Sequence, residues 1–303
     1  MIVRRRALVL VVALLAAACS GEAAPAGSSP PGPLGPSEGG PTQAPAGAQL
    51  PAPDQPVPQD AAVLSTVLQS TTRDLYDAID RWLARDPNAT KPPEDVQLLA
   101  LYQQRITRVL ARDPALAARV IGRLSPRVAA VTRANVEASA RLFVHARPVS
   151  DASALRTERP DSAGTLLGFY QEAQQRFGVE WQVLAAVNSI ESRFGRVRSS
   201  SYARAQGPMQ FLPSTWDAYG LGGDVHDPHD AILGAANYLA ASGAPADDRA
   251  ALYHYNPVND YVKAVLLYAR QMERDPRTYY AYYNWQVFVF TKQGEVRLTG
   301  PGV

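Results

Sequence analysis

A chain of 303 residues with 46% hydrophobic content can bury one large core or two small ones. Thirty basic residues stand against 28 acidic, a formal charge of +2, which becomes −1 once Arg4, Arg5 and Arg6 are set aside with the leader described next. A balance so close to neutral offers no basis for a nucleic-acid partner, and the lone cysteine, Cys19, excludes an intramolecular disulfide.

The first 18 residues read as a lipoprotein signal peptide. Arg4-Arg5-Arg6 is followed by an unbroken apolar run, Ala7–Ala18, too short to cross a bilayer comfortably. Leu15-Ala16-Ala17-Ala18-Cys19 resembles a bacterial lipobox, in which the cysteine is lipidated and becomes the new first residue. A plain cleaved signal is the alternative, but lipidation accounts for a lone cysteine that would be a liability as a free thiol outside the cytoplasm. The expected location is therefore extracytoplasmic, with a lipid anchor in the membrane through Cys19. Residues 20–60 hold 11 of the 25 prolines among Ala, Gly and Ser without apolar periodicity, so 19–60 reads as a tether.

From Asp60 to about His145 the pattern is helical. Amphipathic stretches cover Ala62–Leu83, Pro93–Ala111 and Ser125–Ala146, and the pairs Asp86-Pro87 and Asp113-Pro114 mark boundaries, because a residue before proline avoids the helical region. This N-terminal helical region, 61–147, holds no catalytic constellation, and packing or partner docking is its default role. Pro148 to about Ser162 connects it to a second helical unit. There the predicted helices are Ala163–Phe177, Glu180–Ser192, Pro213–Tyr219, Pro228–Ala241, Asp247–Tyr255 and Asp260–Glu273. Strand-like runs occur only at Val287–Phe290 and Val296–Leu298, flanking a loop with Gly294, so 286–303 reads as a β-hairpin and tail. The expected fold class is mainly α with a short C-terminal hairpin.

One carboxylate in this pattern stands out. Glu191 ends the apolar helical stretch Trp181–Glu191, within roughly 40° of Leu184 and Val187 at about 100° per residue, while Arg193 points to the far side. The helix stops near Gly195, so the carboxyl also lies at the negative end of a helix dipole. Desolvation and the dipole both favour the neutral acid, as a general acid at neutral pH requires. An ordinary exposed helix-end Glu is the other reading, and composition does not separate the two.

Three segments then align. Glu191-Ser192 with Phe194-Gly195-Arg196 comes first, Gly207-Pro208-Met209-Gln210-Phe211-Leu212-Pro213-Ser214-Thr215-Trp216 second, and Tyr255-Asn256-Pro257 with Tyr261-Val262 third. Their order and spacing resemble the lysozyme-like (SLT) domain of bacterial lytic transglycosylases, of the membrane-bound lytic murein transglycosylase type, in the form of lipid-anchored actinobacterial proteins. The resemblance covers about Ala163–Trp285. It implies a lysozyme-like helical domain over 163–285, Glu191 as acid and then base, and a substrate cleft with Ser192, Gly207, Met209, Gln210, Tyr255 and Asn256. It implies a peptidoglycan glycan strand as substrate, cut at the MurNAc-GlcNAc β-1,4 bond to leave a 1,6-anhydromuramoyl end, with no cofactor and no metal. A muramidase of the same fold and an inactive peptidoglycan-binding scaffold lipoprotein remain the alternatives. Contacts with wall-synthesis or division proteins are not legible.

The residues themselves add detail. Gly207 permits close backbone approach to a sugar, Gln210 offers donor and acceptor together, and Tyr255 is positioned in the pattern to hydrogen-bond Glu191. Met209, Phe211 and Trp216 read more readily as core than as ligand contacts, and Ser192 equally as a cap on its own helix or as a functional residue. The chain departs from the family pattern at Ala203-Arg204-Ala205, where a glycine is usual in the middle, at His254 in place of alanine, and at Pro257. His226-Asp227-Pro228-His229-Asp230 has the residue types of a metal site, but Asp227 is explained as an N-cap before Pro228. Asp217, Asp224 and Asp227 lie in or beside turns, so Glu191 has no convincing second carboxylate, as a hydrolase with two acids would need.

Overall fold

The computed structural model describes residues 49–303; the signal segment, Cys19 and the tether as far as residue 48 lie outside the described residues. Among these there are eleven helices and one two-stranded hairpin. Four helices form the N-terminal region: α1 (Ala61–Arg85), α2 (Glu94–Arg112), α3 (Pro114–Ile121) and α4 (Pro126–Phe143). Then come α5 (Ala163–Phe177), α6 (Trp181–Ser192), α7 (Pro213–Tyr219), α8 (Pro228–Ala241), α9 (Asp248–Tyr255), α10 (Asn259–Arg274) and α11 (Arg277–Tyr283). Strands β1 (Phe288–Thr291) and β2 (Gly294–Arg297) pair antiparallel from Phe288 opposite Arg297 to Thr291 opposite Gly294. Lys292 and Gln293 thus make a two-residue turn, tighter than the five-residue loop expected.

Helix starts follow local chemistry. Asp60 accepts from the backbone N–H of Ala62 and Val63, Asp113 from Leu116, Asp227 from Asp230 and Asp247 from Ala250. Each such cap is worth about 1 kcal/mol. Asp113-Pro114, read as a boundary alone, in fact opens α3. Residues 51–60, expected to belong to the tether, lie on α2: Tyr102 donates to the Pro56 carbonyl at 3.0 Å and the Arg105 guanidinium to that of Gln55 at 2.5 Å.

Helix α6 runs through the interior, with Val183, Leu184, Ala185, Ala186, Val187 and Ile190 all buried. It packs on α5, α8, α10 and α11, and α4 lies along the far side of α10. One apolar cluster continues from Leu75, Ile79 and Trp82 of α1 through α5, α6, α8 and α10 to Tyr279 and Trp285. The hairpin is held against α2 by Glu295, which pairs with Arg108 and, at 2.8 Å, Arg112; the Arg108 guanidinium lies over Phe143 and Phe288. Because this core is continuous, removing a large α1 side chain is felt throughout. Trp82, 2% exposed and edge-on to Tyr280, is the strongest case. Trp82→Ala is expected to cost about 3–5 kcal/mol and to lower the midpoint of a single urea transition seen by circular dichroism. Two resolved transitions, one of them unmoved, would contradict this account.

No helix among the described residues is long and apolar enough to cross a membrane.

Candidate active site

Helix α6 delivers Glu191 to the floor of a cleft of about 180 Å³ walled by Gln210, Tyr238, Tyr255 and Asn256, with Ser201, Ala203 and Ala205 along one edge. The helix ends abruptly: Arg193, Phe194 and Gly195 follow with φ of 54°, 60° and 84°. The chain therefore turns away directly beyond the carboxyl. Glu191 is 7% exposed, and burial pushes its pKa from an ordinary 4.5 up to about 8. Of the two readings open in the sequence, the exposed helix-end Glu is thus not the one adopted. Among the described residues lining the cleft, it is the one carboxylate. Asp224 and Asp227 accept backbone N–H groups of their own turn, and Asp217 is exposed.

Two phenols sit by this acid. Tyr255, expected to bond Glu191, instead donates to the Met209 carbonyl at 2.5 Å, a backbone acceptor that burial would otherwise leave unpaired. Tyr261, near the start of α10, is the phenol facing the carboxyl: it draws the pKa of Glu191 back down against the larger effect of burial. Its hydroxyl lies close without completing a hydrogen bond of full geometry, and it has no other partner. The sequence contained Tyr261 only as the tail of the third segment, 70 residues from Glu191, and nothing local marked its role.

The loop 207–211 is fixed by its carbonyls. Ser192 Oγ donates to the Pro208 carbonyl at 2.6 Å and Asn188 Nδ2 to the same oxygen at 2.8 Å, while Tyr255 takes the Met209 carbonyl and Gln210 Nε2 that of Gly207. Asn188 is itself anchored by the Tyr170 hydroxyl at 2.6 Å, so a buried polar network joins α5, α6 and the loop. Asn188 was not singled out in the sequence, although an amide inside so apolar a helix is a signal of this kind.

Three residues expected at the substrate therefore stand behind the cleft. The Met209 side chain is fully buried in the core. Ser192 is spent on Pro208 and on the Gly195 N–H. Gly207 has φ 73°, and a Cβ there would lie 1.8 Å from the Val225 carbonyl oxygen, so its close approach is to backbone rather than to a sugar. Those brought together at the cleft are Glu191, Gln210, Tyr255 and Asn256. With the Gln210 amide N–H₂ held by Gly207, its Oε1 is buried without a partner, as is Oδ1 of Asn256. The cleft thus pairs a neutral acid with two waiting acceptors, which suits a ligand rich in hydroxyl and amide N–H donors. His254 and Pro257 line the same cleft, whereas Arg204 is exposed and outside its lining. Asp227, His229 and Asp230 have ligand atoms within 4.8 Å of one another, but Asp227 caps α8, Asp230 holds the Asp224 N–H, and His229 bonds Glu172.

Membrane-bound lytic murein transglycosylase F of Thiobacillus denitrificans is 33% identical over 102 residues, covering 33% of this chain and 21% of the relative. The chain thus spans about a fifth of that relative's length. No solved structure matches significantly. Residues 168–275 match the family described as Transglycosylase SLT domain, so the segment carrying Glu191, Gln210, Tyr255 and Tyr261 is similar to that domain.

Proposed function

We propose that the protein is a peptidoglycan lytic transglycosylase that cuts the MurNAc-GlcNAc β-1,4 bond, with Glu191 acting first as acid and then as base. The observation that carries this reading is a solitary, desolvated carboxyl facing a cleft that also holds two buried, unpaired acceptors, Gln210 Oε1 and Asn256 Oδ1. With a pKa of about 8, Glu191 is mostly protonated at neutral pH and gives its proton to the glycosidic oxygen as that bond breaks. The substrate's own N-acetyl oxygen supports the cation that develops at the anomeric carbon. Gln210 Oε1 and Asn256 Oδ1 accept from its amide or hydroxyl groups and fix the ring. Glu191, now a carboxylate beside the Tyr261 hydroxyl, takes the proton of the muramic 6-hydroxyl as that oxygen closes on the anomeric carbon. The acid is restored, one proton has left and one has returned, and no water enters.

The similarity to the SLT domain supports this reaction class, and the sequence of residues 1–19 supports export and lipid anchoring through Cys19. Protein incubated with purified sacculi is expected to release muropeptides with anhydro ends. Products heavier by one water at every new end would identify a muramidase, and binding without release would identify a scaffold.

Because cleavage needs the neutral acid, activity falls as pH rises through about 8. The Tyr261 phenol favours the carboxylate, so Tyr261→Phe moves this alkaline limb to higher pH. A pH–rate profile of the variant checks it, and a limb unmoved or shifted downward would contradict the placement of Tyr261.

A further inference from the structure

Behind Glu191, on the side of α6 away from the cleft, lies a small chamber of about 40 Å³ between α2, α4, α10 and the start of the hairpin. Its polar lining includes Glu191 itself with Thr107, Arg108, Ser139, Arg193, Tyr268 and Trp285; the group acting on the Glu191 carboxyl is Tyr261 and not a guanidinium of the chamber. We propose that this chamber is a binding site for a monatomic anion such as chloride.

The lining holds two guanidinium groups and an indole N–H against the hydroxyls of Thr107, Ser139 and Tyr268 and the carboxyl of Glu191. The Arg108 Nε and Trp285 Nε1 groups are buried without hydrogen-bond partners, in residues 8% and 3% exposed. Neither group can accept, so each needs an acceptor from elsewhere. Arg193 gives one hydrogen bond to Ser189 Oγ at 3.1 Å, and the ionised side chains acting on it are those of Arg108 and Arg196 rather than a carboxylate. The one nearby acid on the hairpin, Glu295, is committed to Arg108 and Arg112. Gln104, also in the lining, spends both ends of its amide on the Gln286 backbone, and Ser192 spends its hydroxyl on Pro208 and Gly195. Ser139 and Tyr268 share one hydrogen at 3.3 Å, which leaves the other hydroxyl hydrogen free to turn inward.

A water molecule there could give its hydrogens to the Thr107 or Ser139 hydroxyl, but it would leave the charge of the Arg193 guanidinium without a counter-ion. An anion only accepts. It satisfies the indole, the guanidinium and a hydroxyl together and offsets the half-buried Arg193 cation, which lacks a carboxylate. Size selects among anions. One water needs roughly 10–15 Å³ on this measure, so the chamber has room for about three waters, or for a halide with one or two of them, and excludes a sugar. The inference does not rest on the proposed reaction, because its readout is binding.

The test uses the full chain in sodium gluconate, with sodium chloride or bromide exchanged in at constant ionic strength. The expected result is a melting temperature that rises by several degrees and saturates, as specific binding to the native state requires. Iodide is expected to quench a saturable part of the indole fluorescence, and Trp285→Phe removes that part. Arg193→Gln is expected to weaken halide binding at least about tenfold, which is 1.4 kcal/mol. Should that variant fold poorly, Ser139→Ala is expected to weaken it several-fold. A response that is linear in salt and equal in wild type and Ser139→Ala would overturn the proposal. So would bromide-soaked crystals whose anomalous peaks all lie outside the chamber; a peak between Arg193 and Trp285 would support it.

Discussion

Glu191→Gln is expected to reduce release of anhydromuropeptides by at least about a thousandfold, because it removes the proton donated to the leaving oxygen and the base that later closes the ring. Affinity for the glycan strand should change little, since the amide is isosteric and the contacts at Gln210 and Asn256 remain. The same variant has a second signature that an exposed Glu could not produce. The unfolded chain ionises Glu191 near 4.5 and the folded one near 8, so between those values the folded state holds the proton that the unfolded state has released. This raised pKa therefore makes wild-type stability fall as pH climbs from about 4.5 to 8, then level off. Glutamine carries no such penalty. The stability advantage of Glu191→Gln over wild type should be near zero at pH 4, reach about 3 kcal/mol at pH 7 and flatten above pH 8. Urea denaturation across that range measures it. A constant difference between the two proteins would mean that Glu191 is not desolvated, and full activity in the variant would remove it from the reaction.

Gly207→Ala is expected to damage activity as well, less severely and by a different route. At φ 73° an L side chain is strained, and the added Cβ would meet the Val225 carbonyl oxygen at 1.8 Å, a backbone atom that cannot swing aside. The loop 207–211 must then shift. Its Pro208 and Met209 carbonyls are bonded to Ser192, Asn188 and Tyr255, so the displacement reaches both walls of the cleft. Misplacement of this order costs about a hundredfold in rate, with about 2–4 kcal/mol of stability lost as well. Steady-state assays beside a melting curve separate the two. A variant with normal activity and normal melting would show that the loop has more freedom than its hydrogen bonds imply.

Much of this was legible in residue order, and the exceptions have physical causes. Long amphipathic helices such as α1, α2, α4 and α10 have a polar face, so their periodicity is visible, and Asp-Pro pairs punctuate them. Helix α11 was not recognised as a helix, because Thr278 to Tyr283 are all buried and leave no polar face to set a period. Its Tyr-rich run covers the core, with Tyr279 and Tyr282 fully enclosed. Glu191 could be found because its neighbours in the helix are themselves the desolvating surface. Tyr261 and Asn188 could not be assigned roles, since theirs depend on partners brought close only by tertiary packing. Tyr255 shows the limit of motif reading: it stands where expected, but a buried backbone carbonyl outcompetes the carboxyl for its proton. The chamber behind Glu191 joins Arg108, Arg193 and Trp285 from three distant stretches and has no signature in the sequence at all.

The claim on which the account turns is that Glu191 serves as its own base, so that the muramic 6-hydroxyl and not water closes the reaction. Cleavage of sacculi in heavy-oxygen water tests it most directly. The account predicts that new muramoyl ends carry no heavy oxygen and are lighter by one water than hydrolysed ends. One heavy oxygen in each new end would contradict it and make the protein a hydrolase.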